Sequence, residues 1–458
     1  MTLSSRKLGF GITAALVFAA FSSVPAVSSS LTTLHAFCAK HQCADGDNTN
    51  GESPLVEDSL GNFYGMTPSG GKRGGTVFEL SLDAVKGQWI LTTLYGFPKD
   101  KHGAEPEGRL IVGQDGSLYG TTASGGKPGA EAGVVFRLKP NADRTNWRPE
   151  VLYTFCPDGT TCPDGARPLT AGLSYVGAES GIAYDGSSPL FGTTILGGKN
   201  NKGVVYELDF DQAAHQWKET VIHDFCNVTN GAVCVDGSEP GYGVTIDADG
   251  NIFGTAPEGP NSTGIIYEVS PLGGGNWQYT VLYNFCGAIP CAAFPKGGLI
   301  RDAQGNFLGT SDGGNHAHGV IFKLIPNGSN SQLVDLYDFC SLSNCSDGKD
   351  PEGGLAMDSS GNLFGTTRYG GTNDSDPTGQ GGGTVFVFGN GTLQTLYNFC
   401  GAKSCKDGNY PLAGVTLDGD GNIFGTTQAG GAHAAGTAFE LTANPGKLTG
   451  TRSHPAGF

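Results

Sequence analysis

Gly298-Leu-Ile-Arg-Asp302, Asn306-Phe-Leu-Gly-Thr310, Gly319-Val-Ile-Phe-Lys-Leu324 and Leu333-Val-Asp-Leu-Tyr-Asp-Phe339 follow one another with only turn-forming sequence between them. Each run is of strand length and rich in β-branched and aromatic residues. The first two are joined by Asp302-Ala-Gln-Gly-Asn306, in which Asp opens a type I turn and Gly takes the left-handed conformation of a bulge. The same turn begins at Asp58, Asp247, Asp358 and Asp418, so the stretch is one copy of a repeat. No helical periodicity of useful length interrupts it.

Three motifs mark the copies. A large apolar residue precedes glycine at Tyr64-Gly65, Tyr119-Gly120, Phe191-Gly192, Phe253-Gly254, Leu308-Gly309, Phe364-Gly365 and Phe424-Gly425. A Gly, β-branched, aromatic motif ends at Phe78, Phe136, Tyr206, Tyr267, Phe322, Phe386 and Phe439. A Leu/Ile-Tyr/His-x-Phe motif ends at Phe37, Phe97, Phe155, Phe225, Phe285, Phe339 and Phe399. Successive glycines of the first motif are 55, 72, 62, 55, 56 and 60 residues apart. The longest interval contains an insertion between Tyr175 and Pro189.

Seven four-stranded units of this length predict an all-β fold, a seven-bladed β-propeller of antiparallel blades. Aromatic residues supply packing between blades, and the glycine beside them allows close backbone approach. The chain starts on a fourth-type strand, Leu31 to Phe37, and ends on a third-type strand, Gly436 to Leu441. The N-terminal strand is therefore expected to complete the last blade and close the ring, leaving no bare sheet edge. The expected organisation is a signal peptide over 1–26, the propeller over 31–442 and a C-terminal tail over 443–458. The signal peptide is read from Arg6-Lys7, an apolar run from Leu8 to Phe21 that is too short to span a bilayer, and small residues at Val24-Pro25-Ala26.

All twelve cysteines fall in pairs just after the strand-ending Phe: Cys38 with Cys43, Cys156 with Cys162, Cys226 with Cys234, Cys286 with Cys291, Cys340 with Cys345, and Cys400 with Cys405. The second unit has Phe97-Pro98 there and no cysteine, so cysteines are gained or lost as pairs. That is the behaviour of bonded partners in an oxidising compartment, and six local disulfides are expected. Zinc would need ligands beyond two thiols, and the loops offer no consistent His neighbour. Closing a loop of about six residues is worth roughly 2 kcal/mol on chain-entropy grounds, enough to stiffen a surface loop.

With 76 glycines in 458 residues and 15% charged residues, the composition excludes a coiled coil or helical array, while 25 Phe and 15 Tyr argue against disorder. A net charge of −16 makes nucleic acid an improbable partner. The chain is expected to be secreted, extracellular or periplasmic, with no membrane span after signal cleavage.

Leu396 to Phe399, Gly361 to Thr367 and Gly383 to Phe386 carry Leu-Tyr-x-Phe, Gly-Asn-x-Phe-Gly-Thr-Thr and Gly-Thr-Val-Phe. As a set these resemble the GloVer tandem-repeat family of secreted bacterial proteins with varying C-terminal anchors. The resemblance covers about residues 31 to 442 and implies repeat architecture and export; no activity comes with it. The tail shows no hydrophobic anchor.

In a propeller of this phase the cysteine loops and Gly-Gly loops share one face, and the Asp-x-x-Gly-Asn turns lie on the other. The loops of the first face differ most between units, and loops on a rigid scaffold are where specificity is placed. Ligand-binding candidates at the channel mouth there are Glu107, Arg167, Lys296, Glu352 and Tyr410. Glu107 and Glu352 occupy the same slot, after Pro106 and Pro351. His316-Ala-His318 supplies only two metal ligands, and Asp247-Ala-Asp249 and Asp418-Gly-Asp420 complete no calcium loop, so no metal is expected. Trp89, Trp147, Trp217 and Trp277 share one repeat phase and read as scaffold.

No Ser-His-Asp arrangement, nucleotide loop or metalloprotease helix is visible, and no cofactor is expected. The expected function is binding or scaffolding, with a glycan or cell-envelope ligand favoured over an extracellular protein. The alternative is a propeller hydrolase or lyase acting on polysaccharide; the catalytic residues of such an enzyme are not identified by the sequence.

Overall fold

A computed structural model describes residues 29–49, 54–169, 172–286, 291–373 and 378–442. The signal peptide and tail expected from the sequence lie outside these residues.

Second-strand glycines face third-strand aromatics in direct register in every repeat, from Gly65 opposite Phe78 and Gly120 opposite Phe136 to Gly425 opposite Phe439. The far end of the aromatic ring reaches over the glycine. A Cβ there would sit only 2.3 to 2.9 Å from the far end of the ring. Each ring is in turn met by the strand-ending Phe of the preceding blade, at centroid distances of 5.1 to 5.6 Å. The three sequence motifs are thus one contact, Phe on aromatic on glycine, repeated at all seven blade interfaces. All seven of these phenylalanines are fully buried. Edge-to-face aromatic pairs add about 0.5–1.5 kcal/mol beyond the area they bury.

The sheets form seven blades, at residues 56–96, 111–154, 174–224, 244–284, 292–338, 356–398, and 416–442 together with 30–36. Each is antiparallel, and in the first six the innermost strand comes first in sequence. The last blade takes its outer strand from the N-terminus: Ser30–Ala36 pairs with Thr437–Thr442, and the Phe37 N–H donates to the Gly436 carbonyl. The ring closes as the strand phase requires. In the third blade the innermost strand shrinks to a bridge between Ser174 and Phe191, because the chain leaves the sheet there for the insertion.

Three of the four tryptophans join neighbouring blades, Trp89 with Phe424, Trp147 with Tyr64 and Trp277 with Phe191, while Trp217 packs on Phe210 of its own blade. They are scaffold residues. Near the axis the innermost strands pack backbone to backbone. A Cβ on Gly353 would lie 2.6 Å from the Ala413 carbonyl carbon, and one on Gly108 would lie 2.7 Å from the Gly172 nitrogen. These glycines form a belt of close backbone contacts between neighbouring inner strands.

Candidate functional site

The six cysteine pairs are disulfides, each closed within its own loop. Cys38 is bonded to Cys43, Cys156 to Cys162, Cys226 to Cys234, Cys286 to Cys291, Cys340 to Cys345, and Cys400 to Cys405. The pairing is the one expected from the repeat, with no link between blades and the second blade unbridged. These loops lead from the outer strand of one blade to the inner strand of the next. Five of the six carry an aspartate two residues after the second cysteine, following Cys43, Cys162, Cys234, Cys345 and Cys405; after Cys291 the place is taken by Ala293.

That aspartate organises its loop. The buried Asp347 carboxylate accepts the Ser341 N–H at 2.9 Å, the Leu342 N–H at 3.3 Å, the Ser341 hydroxyl at 2.9 Å and the Tyr337 hydroxyl at 2.8 Å. Asp407 repeats the arrangement with Gly401, Ala402 and Tyr397, and Asp45 with Ala39, Lys40 and His35. Burial would raise the Asp45 pKa, but the hydrogen bonds from Lys40, His35 and Ala39 hold it below the usual carboxylate range. In the second blade Asp100 accepts from the His102 backbone instead.

Further along each loop the chain turns into the inner strand through a residue with left-handed backbone. Glu105, Arg167, Glu239, Phe294, Asp350 and Tyr410 have φ between 49° and 61°, and each directly precedes a proline. Asn48 fills the equivalent place in the first blade, with φ 56°. This conformation costs a side chain on the order of 1 kcal/mol or more. It is held by a cross-blade hydrogen bond from the residue's own N–H, as in Glu105 to Gly74, Arg167 to Ala132, Asp350 to His318 and Tyr410 to Gly382.

The mouth therefore carries two concentric rings: an outer one of left-handed residues before proline, and an inner one of residues after it. Arg167 and Tyr410 belong to the outer ring; Glu107, Lys296 and Glu352 belong to the inner. A cavity of about 370 Å³ at this mouth is lined by Glu107, Glu352, Glu239, Arg368, Leu169 and Leu412, among others. Arg167, Lys296 and Tyr410 stand outside its lining. Lys296 lies 3.5 Å from Asp312, Glu352 pairs with Arg368 at 2.9 Å, and Lys202 reaches both Glu239 at 2.9 Å and Glu258 at 3.5 Å. The Tyr410 ring meets Tyr369 edge-on at 5.2 Å, and the Arg368 guanidinium lies 4.8 Å from the Tyr369 centroid. His318 lies 3.6 Å from Asp350, and it also adjoins Cys340 and Cys345, whose sulfurs are bonded to each other and so are not available to a metal.

Glu107 differs from the other acids. Burial, and then the charge of Glu105, push its pKa up to about 7, with Arg167 pulling the other way. A carboxyl raised in the folded state binds a proton that the unfolded chain has already lost, so it makes stability fall as pH climbs from about 4.5 to about 7. Up to about 3 kcal/mol is at stake. Melting the wild type and Glu107→Gln from pH 5 to pH 8 should show a decline in the wild type that is smaller in the variant; parallel curves would refute the assignment.

Sequence reading found three of the inner-ring residues and missed the organising aspartates. The signal was present: Asp-Gly-x-x-Pro occurs at Asp164 to Pro168, Asp236 to Pro240, Asp347 to Pro351 and Asp407 to Pro411. It also placed the site on one face only. A second and larger cavity, of about 1420 Å³, opens among the turns of the opposite face, near Asp58, Gln114 and Asn141.

Among the described residues no helix is long and apolar enough to cross a membrane. No curated protein matches the chain. Similar solved structures include a chain of the mitotic checkpoint complex (12% identity, TM-score 0.45, covering 96% of this chain and 99% of that one). A puromycin hydrolase (10%, 0.47) is covered over 53% of its length by 86% of this chain, and a polysaccharide lyase (10%, 0.44) over 89% of its length by 85%. A family model for the Gloeobacter/Verrucomicrobia repeat matches residues 20–188, 174–375 and 293–455. With matches across nearly the whole length, a single Phe, aromatic and glycine contact repeated at every blade interface, and a ring closed by its own N-terminus, the chain belongs to the Gloeobacter/Verrucomicrobia repeat family.

Proposed function

We propose that this protein is an exported, disulfide-stiffened binding module that holds a glycan of the cell envelope at the mouth of its cysteine-loop face. The observation that carries this reading is the pairing of charges around that mouth. Glu352 with Arg368, Lys296 with Asp312, and Lys202 with Glu239 and Glu258 form a fixed polar rim, and Leu169, Ile195 and Leu412 give the cavity an apolar floor. Rigid hydrogen-bonding groups above an apolar surface suit sugar hydroxyls and ring faces. Disulfides and export fit a protein working outside the reducing cytosol.

One observation favours a second reading. Glu107, with a pKa of about 7, is suited to proton transfer at neutral pH, which a polysaccharide hydrolase or lyase needs. The double variant Glu107→Gln/Glu352→Gln separates the two. On the binding reading, a glycan array shows specific binding by the wild type, the variant loses at least tenfold in affinity, and pooled polysaccharides are not turned over by either. Turnover by the wild type that the variant loses while still binding would establish the enzyme. Binding and turnover both unchanged would remove the site from this mouth.

A further inference from the structure

Two breaks in the sevenfold repeat meet in the larger cavity on the turn face. The first is in the inner strands. The residue before the inner Leu or Val is Gly172, Gly243, Gly298, Gly354 or Gly414 in five blades and Pro54 in the first. In the second blade it is Arg109. The second break is the insertion of the third blade, which folds back along the inner strand of the second. The Tyr184 N–H donates to the Val112 carbonyl, and the Gln114 N–H donates to the Tyr184 carbonyl. Tyr184 packs between Tyr119 and Tyr175, at 4.9 and 5.1 Å. The Tyr175 hydroxyl donates to the Ile182 carbonyl within the insertion, and both Arg109 and Tyr175 line the cavity.

Among the described residues, Arg109 has no ion pair and no side-chain hydrogen bond. The other arginine lining the cavity is engaged: Arg144 lies 3.3 Å from Asp58, donates to the Tyr64 hydroxyl at 2.8 Å and covers the Trp147 ring. The nearby Asp115 carboxylate accepts the Ser117 N–H and hydroxyl, each at 2.9 Å. Arg109 keeps more than a third of its surface open, yet protein surrounds it closely enough that desolvation pulls its pKa down, opposed by Tyr175. The two facts agree if its open surface faces the cavity and not bulk water. A guanidinium stays charged in such a place, and an unpaired charge removed from bulk water is unfavourable until an anion meets it. On a chain of net charge −16, an unpaired cation facing a cavity is not general surface chemistry.

We propose that the turn-face cavity binds a small organic anion, its carboxylate or phosphate group held by the Arg109 guanidinium and its body resting against Tyr175 and the inner leucines. Arginine pairs with both oxyanions through two parallel N–H donors. Leu110, Leu173, Leu299 and Leu355 supply the apolar wall, and a volume above the roughly 300–1,000 Å³ usual for small-molecule pockets admits a ligand of more than one ring. This site is separate from the proposed glycan mouth, and neither reading depends on the other.

The test uses the purified full chain and three probes with one body: glucuronate, glucose 6-phosphate and glucose, titrated calorimetrically. The wild type should bind at least one of the two anions and should bind glucose at least tenfold more weakly. Arg109→Gly installs the residue that five blades carry, so the variant should melt within a few degrees of the wild type while losing at least tenfold in anion affinity. Arg109→Lys, which keeps the charge but not the fork, should fall between them. Preference between the two anions assigns the group as carboxylate or phosphate. Binding of neither anion, equal binding of glucose, or anion affinity unchanged in Arg109→Gly would overturn the proposal.

Discussion

Deleting residues 30–37 should abolish cooperative folding, although it removes only one strand. The last blade would lose the partner of Thr437–Thr442, a strand buried along its whole length, and expose an unpaired sheet edge. Phe37 would also vanish from the first interface, where it packs on Phe78 at 5.2 Å. A buried Phe→Ala change costs about 3–5 kcal/mol, a large part of the roughly 5–15 kcal/mol that holds most domains folded. The truncated chain should therefore elute as aggregate in size exclusion and give no sharp thermal transition. The point variant Phe37→Ala should cost as much as Phe339→Ala at an internal interface. A monodisperse truncated protein, or a Phe37→Ala variant far more stable than Phe339→Ala, would show that the N-terminal strand does not close the ring.

Asp347→Ala should destabilise the protein by about 3 kcal/mol, more than breaking the adjacent disulfide. Truncation removes a carboxylate that is 1% exposed and takes four hydrogen bonds, from the Ser341 and Leu342 N–H groups and the Ser341 and Tyr337 hydroxyls, and a hydrogen bond to a charged group is worth about 1.5–3 kcal/mol. The Cys340–Cys345 bridge closes a short loop, worth roughly 2 kcal/mol at most. Urea unfolding of Asp347→Ala beside Cys340→Ser/Cys345→Ser should rank the aspartate first. If the cysteine variant is the less stable of the two, the loop is held by its covalent bridge and not by its carboxylate.

The fold was legible in the sequence because its determinants recur at fixed phase and act locally. Gly309 and Phe322 stand opposite each other in one hairpin, and Phe285 reaches that pair from the end of the preceding blade's outer strand. Residues that act across adjacent strands leave a pattern along the chain, and seven copies make the pattern countable. The disulfides were legible for the same reason, since each joins cysteines five to eight positions apart, from Cys38 with Cys43 to Cys226 with Cys234.

The candidate sites were legible only in part. Glu107 and Glu352 could be matched by their shared place after proline, but nothing in the spacing shows that Glu352 holds Arg368 while burial beside Glu105 shifts Glu107. Glu352 meets Arg368 across a single blade, and Arg167, which opposes the shift of Glu107, comes from the loop that leads into the next blade.

Sequence alone determined the all-β class, the seven blades, the strand that closes the ring and the pairing of every cysteine. The class, the blades and the cysteine pairs follow from contacts within one repeat or between successive ones, and the closing strand follows from the phase at which the repeats begin and end. Tertiary structure decided what the channel offers. Packing of blade on blade brings the innermost-strand glycines together and sets the insertion of the third blade along the inner strand of the second, in the cavity that Arg109 lines. A residue that departs from its repeat reads as noise along the chain; it acquires chemical meaning when the fold sets beside it another departure from a neighbouring blade.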